Sequence, residues 1–493
     1  MIDDEAALDL ASTATFATSA RVTAILRPGD VAGVQECLRI AQRHRVALYP
    51  TSGGRNWGYG SRVPTASGCA LLDLGRLDRV LDYDGELGTV TVEAGVTFGQ
   101  LARFLVEQRA PFFASVPGAG PHASVIGNCV ERGDGAGILG DRAMHACAFE
   151  VILPTGERIE TGFARFPGAR VKTLARHGLG PSLDGLFLQS NLGVVTRMTL
   201  FLQPRPAWFR VARFAVEELA QLPALVDALR GLRMEGTVRS LHALWNDWKA
   251  ISLLGPYPFE ATSGQTPLPP AIAKEIRRAA GFGRVSGTLP LYAAGAGQGE
   301  ADEARIAGAL APLVDLLVVD DPGEIDWDDL DSRGPLLGAP HEASIASLYY
   351  RKQTPPTRIA PEADRCGCLW VTPAVPFRGA DVHEAFALAE EIVSRHRFEP
   401  QIAAVCVTDR VVSLCAAILY DRDVPGEDER ARACHDDLLA RFAERGFPPF
   451  RLGVQSMGIA PRGDAETARL RERIKVMLDP NRVLAPGRYE DPP

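Results

Sequence analysis

Apolar residues follow two different spacings in the first two hundred residues of the chain. In residues 31–45 they recur every three or four positions, and an apolar run at 46–50 follows directly. The first spacing predicts a helix and the second a short buried strand. Strand-like runs on either side of residues 154–156, in the stretch 149–162, predict a hairpin. Alternation of this kind from residue 23 to about 200 is typical of an α/β arrangement.

The pattern changes after Pro204, where longer helical stretches are separated by proline and glycine. Helical spacing at 268–282 and 301–317 predicts two helices, whereas the apolar runs at 368–375 and 411–419 are typical of strands. We therefore expect the second region to be an antiparallel sheet covered by helices. The two patterns together predict a two-domain α+β protein.

Length and charge narrow the classes of function. A chain of 493 residues exceeds what one hydrophobic core usually organises, which agrees with two domains. The net charge of −8 has the wrong sign for a protein that binds by neutralising phosphates, so we expect no nucleic-acid partner. Acidic residues in the N-terminal MIDDEAALDLAS, and the lack of an apolar stretch of ~18 residues, predict a cytoplasmic protein without a membrane partner.

The nine cysteines predict reduced thiols, because their number is odd and they are scattered along a long chain. Cys366 and Cys368 form the one close pair, in the sequence CGC. This pair lacks the two-residue spacer of a zinc or redox motif and has no second pair to complete a site. We therefore expect no metal.

Two glycine-rich segments carry the strongest signal for chemistry. TSGGRNWGYGS (51–61) follows a predicted strand, and its glycines let backbone N–H groups approach an anion closely. On its own it could also be an ordinary glycine turn. The second segment, 115–145, is crowded with small residues, and irregular segments of this length in a compact domain are usually functional. Two such segments suggest an extended ligand with a pyrophosphate, and a dinucleotide fits that description.

Six motifs in order resemble the vanillyl-alcohol oxidase and p-cresol methylhydroxylase flavoprotein family, with the 4-phenol-oxidising branch closest. They are GGRNWGYG (53–60), VEAGVT (92–97), VPG with SVIGNCVERG (116–133), a run ending in FEVILPTGE (140–157), DGLFLQSNLGVVT (184–196) and LDPNRVLAPGRY (478–489). The resemblance covers nearly the whole chain and is weak between about 206 and 340.

The resemblance implies an FAD-binding domain of the p-cresol methylhydroxylase type at 1–205. A substrate (cap) domain at 206–454 and a tail at 455–493, which returns to the FAD-binding domain, complete the expected organisation. It also implies an oxidoreductase of secondary metabolism. The expected reaction transfers a hydride to flavin N5 from a small aromatic or alicyclic substrate, at an alcohol, a benzylic C–H bond or an amine. O2 is the expected final electron acceptor. The alternatives are a flavin dehydrogenase that passes electrons to a protein acceptor, and a flavin-fold protein with a non-redox or binding role. A homodimer is a further expectation.

By motif position, the resemblance assigns residues to three parts of FAD. The pyrophosphate is expected at Ser52, Gly53, Gly54, Arg55, Asn56, Gly58, Tyr59 and Gly60. The ribityl chain and ring are expected at Pro117, Gly118, Ser124, Gly127 and Asn128, and the adenosine end at Glu150, Val151 and Val195.

The same resemblance assigns catalytic roles to Tyr59 and Arg451, which would hold a phenolate, and Arg451 could also stabilise the reduced flavin. Gly118 stands where an acid is usual in the family, and Phe450 stands where a tyrosine is usual. The base could then be His122, Asp134 or no protein group. The predicted substrate pocket contains Phe450, Tyr350 and Trp370.

Several family members attach FAD covalently. Alignment on Thr372-Pro373 puts Cys368 at the linking position in the cap, and Arg55 occupies the position of a linking histidine in the glycine loop. An apolar neighbourhood raises a thiol's pKa and disfavours attack on the flavin. We therefore predict non-covalent FAD, with a Cys368 thioether as the alternative.

Overall fold

The computed structural model describes residues 1–356, 358–461 and 463–490. The strands are β1 Val22–Leu26, β2 Leu48–Thr51, β3 Cys69–Asp73, β4 Val80–Asp84, β5 Thr89–Glu93, β6 Phe112–Phe113, β7 Ala146–Ile152, β8 Arg158–Glu160, β9 Val194–Phe201, β10 Gln203–Pro204, β11 Trp208–Val216, β12 Ala243–Asn246, β13 Val285–Ala293, β14 Leu316–Asp320, β15 Cys366–Pro376, β16 Gln401–Val405, β17 Val411–Asp421 and β18 Pro449–Arg451.

The α-helices are α1 Glu5–Ala11, α2 Val31–His44, α3 Phe98–Glu107, α4 Val125–Val130, α5 Leu222–Met234, α6 Asp247–Ser252, α7 Phe259–Thr262, α8 Pro270–Ala279, α9 Ala296–Leu310, α10 Gly379–Arg395, α11 Glu427–Glu444 and α12 Ala465–Leu478. Short 3-10 helices lie at Arg142–His145, Gly162–Arg165, Asp184–Phe187, Leu219–Gln221, Pro335–Leu337 and Ala343–Tyr349. No helix in the described ranges is long and apolar enough to cross a membrane.

The N-terminal part contains two larger sheets that share one core. Strands β1, β3 and β2 form a parallel sheet, in the order β1-β3-β2, with α2 packed beside it. The second sheet is antiparallel, with the order β4-β5-β9-β7-β8. The α/β expectation therefore holds for the first sheet only, because the short β4–β5 and β7–β8 connections can join only antiparallel neighbours. The hairpin predicted at 149–162 is confirmed as β7–β8.

Helix α2 illustrates how the local sequence sets these elements. The Asp30 side chain accepts a hydrogen bond from the Gly33 N–H at 2.8 Å and caps the helix N-terminus. Its buried face carries Val34, Leu38 and Ala41 at helical spacing. The helix predicted at 31–45 and the strand that follows it are confirmed.

The cap is an eight-stranded antiparallel sheet with the order β14-β11-β13-β12-β16-β17-β15-β18. Helices α5, α9, α10 and α11 contribute to the core on one face of this sheet, which confirms the predicted architecture. One element differs from its prediction, since the helix expected at 301–317 ends at Leu310 and the chain becomes β14 at Leu316. Pro312 is the physical reason, because it has no N–H to continue the helix.

The two central strands β15 and β17 present different residues to their two faces. Leu369 and Ile418 pack with the covering helices, whereas Cys368 and Ala417 face the other way and pack near Trp57. This alternation follows from the two-residue period of a strand. It directs a second face of the cap sheet toward the N-terminal part, where the candidate site lies.

Both ends of the chain tie the two parts together. The Leu48 N–H donates to the Val483 carbonyl, and the Ala485 N–H donates to the Leu48 carbonyl, each at 2.7 Å. At the other end, the Cys368 N–H donates to the Thr15 carbonyl at 2.7 Å. The tail after α12 therefore packs on the N-terminal part, whereas the residues around Thr15 pack on the cap.

Candidate active site

A cavity of about 470 Å³ separates the N-terminal part from the cap. This volume is within the usual range for small-molecule and cofactor sites. Most of the N-terminal side of the lining comes from residues within 49–59, 117–134 and 187–195. The cap contributes residues from separate elements, and the tail contributes Arg488. The two glycine-rich segments identified in the sequence therefore meet at one cavity.

The glycine loop offers backbone donors to this cavity. Gly54 adopts a positive φ of 64° directly after β2. In the described part of the chain, no acceptor is paired with the backbone N–H groups of residues 53–56. Successive unpaired N–H groups in such a turn form a concave binding site for an anion. A Cβ added at Gly53 would lie 3.2 Å from the Ser124 backbone nitrogen, so the loop and the second segment approach too closely for a larger residue.

Helix α4, from the second glycine-rich segment, lies against the glycine loop at residues 53–56. The loop and the start of this helix together form what we call the glycine cradle. Ser124 caps the helix by accepting from the Gly127 N–H at 2.9 Å, and the Ser124 hydroxyl donates to the Ala94 carbonyl at 2.8 Å. A Cβ on Gly127 would lie 2.5 Å from the Ser52 Oγ, so the small residue is required for the two segments to meet. The arrangement fits a pyrophosphate-containing cofactor such as FAD, which needs close N–H donors more than net positive charge.

Most of the residues assigned to FAD from the sequence line this cavity. They are Ser52, Gly53, Gly54, Arg55, Asn56, Tyr59, Pro117, Gly118, Ser124, Gly127, Asn128, Val195 and Arg451. Five others do not line it: Gly58, Gly60, Glu150, Val151 and Cys368.

Gly58 and Gly60 instead seat the loop against the cap and the residues after β18. Gly58 has a φ of 75°, and a Cβ there would lie 2.0 Å from Cδ1 of Trp370. The Trp370 N–H donates to the Gly58 carbonyl at 3.3 Å. At Gly60 a Cβ would collide with Val454. These two glycines therefore permit packing, and the neighbouring residues of the loop form the cavity wall.

Glu150 and Val151 lie within β7, away from the cavity. Val151 is fully buried in the core of the N-terminal part. The Glu150 carboxylate binds Arg158 at 2.5 Å and accepts from the Thr196 hydroxyl at 2.8 Å. Both side chains are therefore used within the sheet.

The predicted catalytic pair, Tyr59 and Arg451, is brought together at the cap end of the cavity. The Arg451 guanidinium carbon lies 4.2 Å from the centroid of the Tyr59 ring. Its Nη2 donates to Asn56 Oδ1 at 2.5 Å, and its Nε lies 3.9 Å from Glu131 Oε2 without a hydrogen bond. The Tyr59 hydroxyl donates to the Thr372 hydroxyl over a long 3.4 Å. Burial raises the pKa of Tyr59, although Arg451 opposes this, so the phenol stays a donor.

Three other predicted residues are not at the cavity. Phe450 precedes Arg451 on β18 and faces elsewhere, with the Arg132 guanidinium 4.8 Å from its ring centroid. Tyr350 is fully buried in the core, in an edge-to-face contact with Tyr257 at 5.5 Å. His122 is exposed. Of the three residues assigned to the substrate pocket, Trp370 alone lines the cavity.

Cys368 lies behind the cavity wall. Its side chain is completely buried and is close to Gly58 in the glycine loop. Burial raises the pKa of its thiol well above the ordinary value. All nine cysteines, which lie in the described part of the chain, are free. Within the same ranges, no group of three His, Cys, Asp or Glu side chains could hold a metal ion.

The structure places two carboxyl groups at the cavity: Glu131, which the sequence did not assign to the site, and Asp134, one of the candidate bases. Glu131 accepts from Arg488 Nη2 and from the Tyr489 hydroxyl, the latter at 3.0 Å. Burial alone would raise the pKa of Glu131, but Arg488 and Arg451 outweigh it and lower the pKa. For Asp134 the balance is the reverse, because burial raises the pKa and the nearby arginines only partly oppose it.

Lys249 on α6 and Cys415 on β17 also line the cavity. Burial raises the pKa of Cys415 to about 12, so its thiol is neutral. Asp134, Lys249 and Arg451 are each close enough to act electrostatically on this thiol. The cap end of the cavity therefore gathers a carboxyl group and two cations around Tyr59, Trp370 and Cys415.

Comparisons with known proteins agree with this geometry. A family model described as FAD binding domain matches residues 22–162. The chain is 43% identical to a 1'-carboxy-chondrochloren decarboxylase of Chondromyces crocatus, over 99% of this chain and 94% of the relative. It is 30% identical to the 4-cresol dehydrogenase [hydroxylating] flavoprotein subunit of Pseudomonas putida, over 96% of this chain and 88% of the relative.

Solved structures give the same result for the whole fold. A substrate-bound p-cresol methylhydroxylase matches with a TM-score of 0.91 and 26% identity, covering 100% of this chain and 94% of that one. A 4-ethylphenol oxidase from Gulosibacter chungangensis matches with a TM-score of 0.90 and 25% identity, over the same shares. The similarity thus extends over both domains and includes the sequence as well as the fold. This chain belongs to the p-cresol methylhydroxylase family of FAD-dependent oxidoreductases.

Proposed function

We propose that the protein oxidises a small phenol at the carbon attached para to its hydroxyl group. FAD, when bound, supplies the hydride acceptor at N5, and O2 then takes up the electrons. The observation that carries the proposal is the position of Arg451. Its guanidinium lies in the same cavity as the glycine cradle, stacked on Tyr59, and no acceptor in the described residues is hydrogen-bonded to its Nε.

Tyr59 and Arg451 would hold the phenol oxygen. The Tyr59 hydroxyl is available because its bond to Thr372 is long, and Arg451 supplies a cation that its distant contact with Glu131 only partly compensates. A fixed cation favours the phenolate, and electron release from a phenolate oxygen weakens the benzylic C–H bond. The same cation stabilises negative charge that develops during the oxidation.

Asp134 is the candidate proton acceptor. Of the carboxylates in the described residues, Glu131 and Asp134 are the two that line the cavity, and Glu131 is engaged by Arg488 and Tyr489. Burial raises the pKa of Asp134, which makes its carboxylate a stronger base than a solvated one. His122, the other candidate, is exposed.

An anaerobic substrate screen tests the proposal. The FAD-loaded protein is mixed with 4-ethylphenol, 4-hydroxybenzyl alcohol and their O-methyl ethers, and bleaching of the flavin absorbance band is followed. We expect the free phenols to bleach the flavin and the ethers to fail. Equal bleaching by the ethers, or none by any phenol, would contradict the assignment. Admitting air then tests the acceptor, since slow reoxidation would favour a dehydrogenase with a protein partner.

A second candidate function is oxidation coupled to decarboxylation, and the 43% identical relative named as a decarboxylase favours it. A substrate ArCH2–CHR–COO⁻ would lose a hydride from the benzylic carbon. The electron pair of the bond to the carboxylate would then form the new double bond, giving ArCH=CHR and CO2 without a further reductant or proton. Detection of CO2 in equal amount to reduced flavin would identify this reaction.

Non-covalent FAD is also part of the proposal. The burial of the Cys368 thiol behind the cavity wall supports it, because the thiol would have to displace packed residues to reach a bound flavin. Acid precipitation provides the test. A yellow supernatant is expected, whereas a yellow pellet that becomes colourless in Cys368→Ser would establish a thioether.

A further inference from the structure

Lys249 is a cavity residue whose ammonium group has no anionic partner in the part of the chain that the structure describes. It lies on α6 and lines the cavity, with Nζ 5.9 Å from the centroid of the Trp370 ring. Among residues 1–356, 358–461 and 463–490, no carboxylate or carbonyl forms an ion pair or hydrogen bond with its Nζ. The cap and the tail offer two comparisons, since Lys352 binds Asp421 at 2.5 Å and Lys475 binds Asp479 at 2.8 Å.

The groups facing Lys249 do not neutralise it. The titratable neighbours that act on it are the thiols of Cys368 and Cys415, and burial raises the pKa of both. Both thiols are therefore uncharged at neutral pH. Burial lowers the pKa of Lys249 itself, as expected when an ammonium leaves water without an anion nearby. A charge that is partly removed from water is costly unless it is paired, so the arrangement is suited to an anionic partner that arrives with a ligand.

We propose that Lys249 binds a carboxylate on the side chain of the substrate. The inference rests on the proposed function, in which Tyr59 and Arg451 hold the phenol oxygen. It narrows the substrate class to acids that carry a 4-hydroxyphenyl group and a carboxylate a few bonds away.

The layout of the cavity supports a substrate that reaches both cations. Arg451 and Lys249 enter from different elements, β18 and α6, and both act electrostatically on Cys415. Trp370 extends along the wall beside Lys249 and supplies an apolar surface for the body of the ligand. The pyrophosphate cradle at residues 53–56 belongs to the N-terminal part, so the FAD phosphates have their own donors. Lys249 is therefore available to an anionic group of a ligand on the cap side of the cavity.

Binding of two unreactive ligands tests the inference without turnover. The pair is 4-hydroxycinnamate and 4-hydroxycinnamamide, which differ in charge and have no sp3 benzylic C–H bond to oxidise. Calorimetry with FAD-loaded wild type should give a Kd for the acid at least tenfold lower than for the amide, a difference typical of a hydrogen bond to a charged group. In Lys249→Met this preference should fall to twofold or less, while the Kd of the amide stays within a factor of two.

The controls separate the possible failures. Lys274→Met, at an exposed lysine on α8, should keep the full preference for the acid. Lys249→Gln gives a second, polar replacement if the methionine variant loses FAD, and the FAD content and amide Kd report on its integrity. An equal Kd for acid and amide in the wild type, or a preference that survives in Lys249→Met, would overturn the inference while leaving the proposed function intact. If neither ligand binds to wild type, the proposed function fails as well.

Discussion

The two ends of the cavity are built in different ways. At the N-terminal end, the wall consists largely of backbone and small side chains from residues 52–56 and 124–128, two short stretches of chain. At the cap end, the wall consists of large or charged side chains from many elements. They are Tyr59, Lys249, Trp370, Cys415 and Arg451.

The two kinds of wall should respond differently to substitution. A cradle of backbone N–H groups depends on local conformation and on glycine, so it tolerates little substitution and recognises a constant group such as a pyrophosphate. A wall of single side chains from separate elements can be altered one residue at a time without disturbing the fold. We therefore expect cofactor binding to fail through changes at the first end, and substrate choice to change through the second.

The largest effect is expected at the cofactor end, from Gly53→Val. The added Cβ would lie 3.2 Å from the Ser124 nitrogen and 3.4 Å from the His122 carbonyl oxygen, and the two γ-methyl groups add further bulk where the two segments already meet. Overpacking of about 1–3 kcal/mol corresponds to a loss of roughly 5- to 160-fold in FAD affinity, and activity falls with it. Fluorescence titration of the apoprotein with FAD measures the Kd.

Gly231→Ala is the matched control for this change, because the added Cβ on α5 meets no atom within 4 Å. It should leave the FAD Kd unchanged. A Gly53→Val protein that binds FAD as tightly as wild type would show that the glycine loop is an ordinary turn and that the pyrophosphate lies elsewhere.

The next effect is expected at the cap end, from Arg451→Ala. Loss of a fixed cation where negative charge develops should slow flavin reduction by ~10²-fold or more, equivalent to ~2.7–4 kcal/mol. FAD should remain bound, since the cradle binds through backbone N–H groups and Arg451 contacts only the side chain of Asn56 there. Anaerobic stopped-flow with 4-ethylphenol gives the rate. Arg132→Ala, which removes an exposed arginine stacked on Phe450, is the control and should reduce at the wild-type rate. If Arg451→Ala also reduces at the wild-type rate, Arg451 is a structural residue.

The same contrast explains how much the sequence could predict. The glycine cradle was recognisable because its residues are adjacent in the chain and because the conformation itself requires glycine, as at Gly54. Arg451 was found only through the family resemblance. Lys249 has no local signal, since a lysine at the third position of a short helix is usually exposed. Its place at the cavity arises from the pairing of β12 with β16 and the packing of α6, which is tertiary information.

Two other assignments show the same limit of local sequence. The spacing from Thr372-Pro373 assigned Cys368 to the linking position, but the depth of its thiol behind the cavity wall depends on the loop that covers it. Phe450 was assigned to the pocket because it neighbours Arg451. Successive residues on a strand face opposite sides, so the position of one excludes the other.

A buried carboxyl group in the cap, that of Glu399, allows a test of how the stability of the protein depends on pH. Glu399 is almost completely buried, accepts from the Leu268 N–H at 2.8 Å, and has one carboxylate oxygen without a partner in the described residues. Burial raises its pKa to about 7. The native protein thus holds a proton that the unfolded chain releases near pH 4.5. The contribution of Glu399 to the free energy of unfolding is therefore fully present below pH 4.5. It is lost as the pH rises from there through 7, by up to about 3 kcal/mol.

Urea denaturation at pH 5 and pH 8 measures this loss. Glu399→Gln should lose less stability than wild type between the two pH values, because the group no longer titrates. Its rate of flavin reduction should be unchanged, since Glu399 does not line the cavity. An identical pH dependence in wild type and variant would show that the carboxyl is solvated, and a slowed reduction would show that the cap core and the cavity are coupled.

The smallest effect is expected from Tyr59→Phe, which keeps the ring and removes one hydroxyl. The ring would still support the Arg451 guanidinium at 4.2 Å, so the cation stays in place. The lost hydroxyl has only a long bond to Thr372, so its removal leaves no strongly bonded partner unsatisfied. A hydrogen bond to substrate of about 0.5–1.5 kcal/mol predicts a reduction rate lower by roughly 2- to 12-fold. The test compares the reduction rates of Tyr59→Phe, Arg451→Ala and the double variant by stopped-flow.

If both residues hold the same phenol oxygen, the effects of the two substitutions should not multiply. Adding Tyr59→Phe to Arg451→Ala should then slow reduction by a smaller factor than Tyr59→Phe does in the wild type, because the hydroxyl has lost the phenolate that it stabilises. Rates that multiply independently would place the Tyr59 hydroxyl outside the substrate site and leave Arg451 as the one anchor of the phenol.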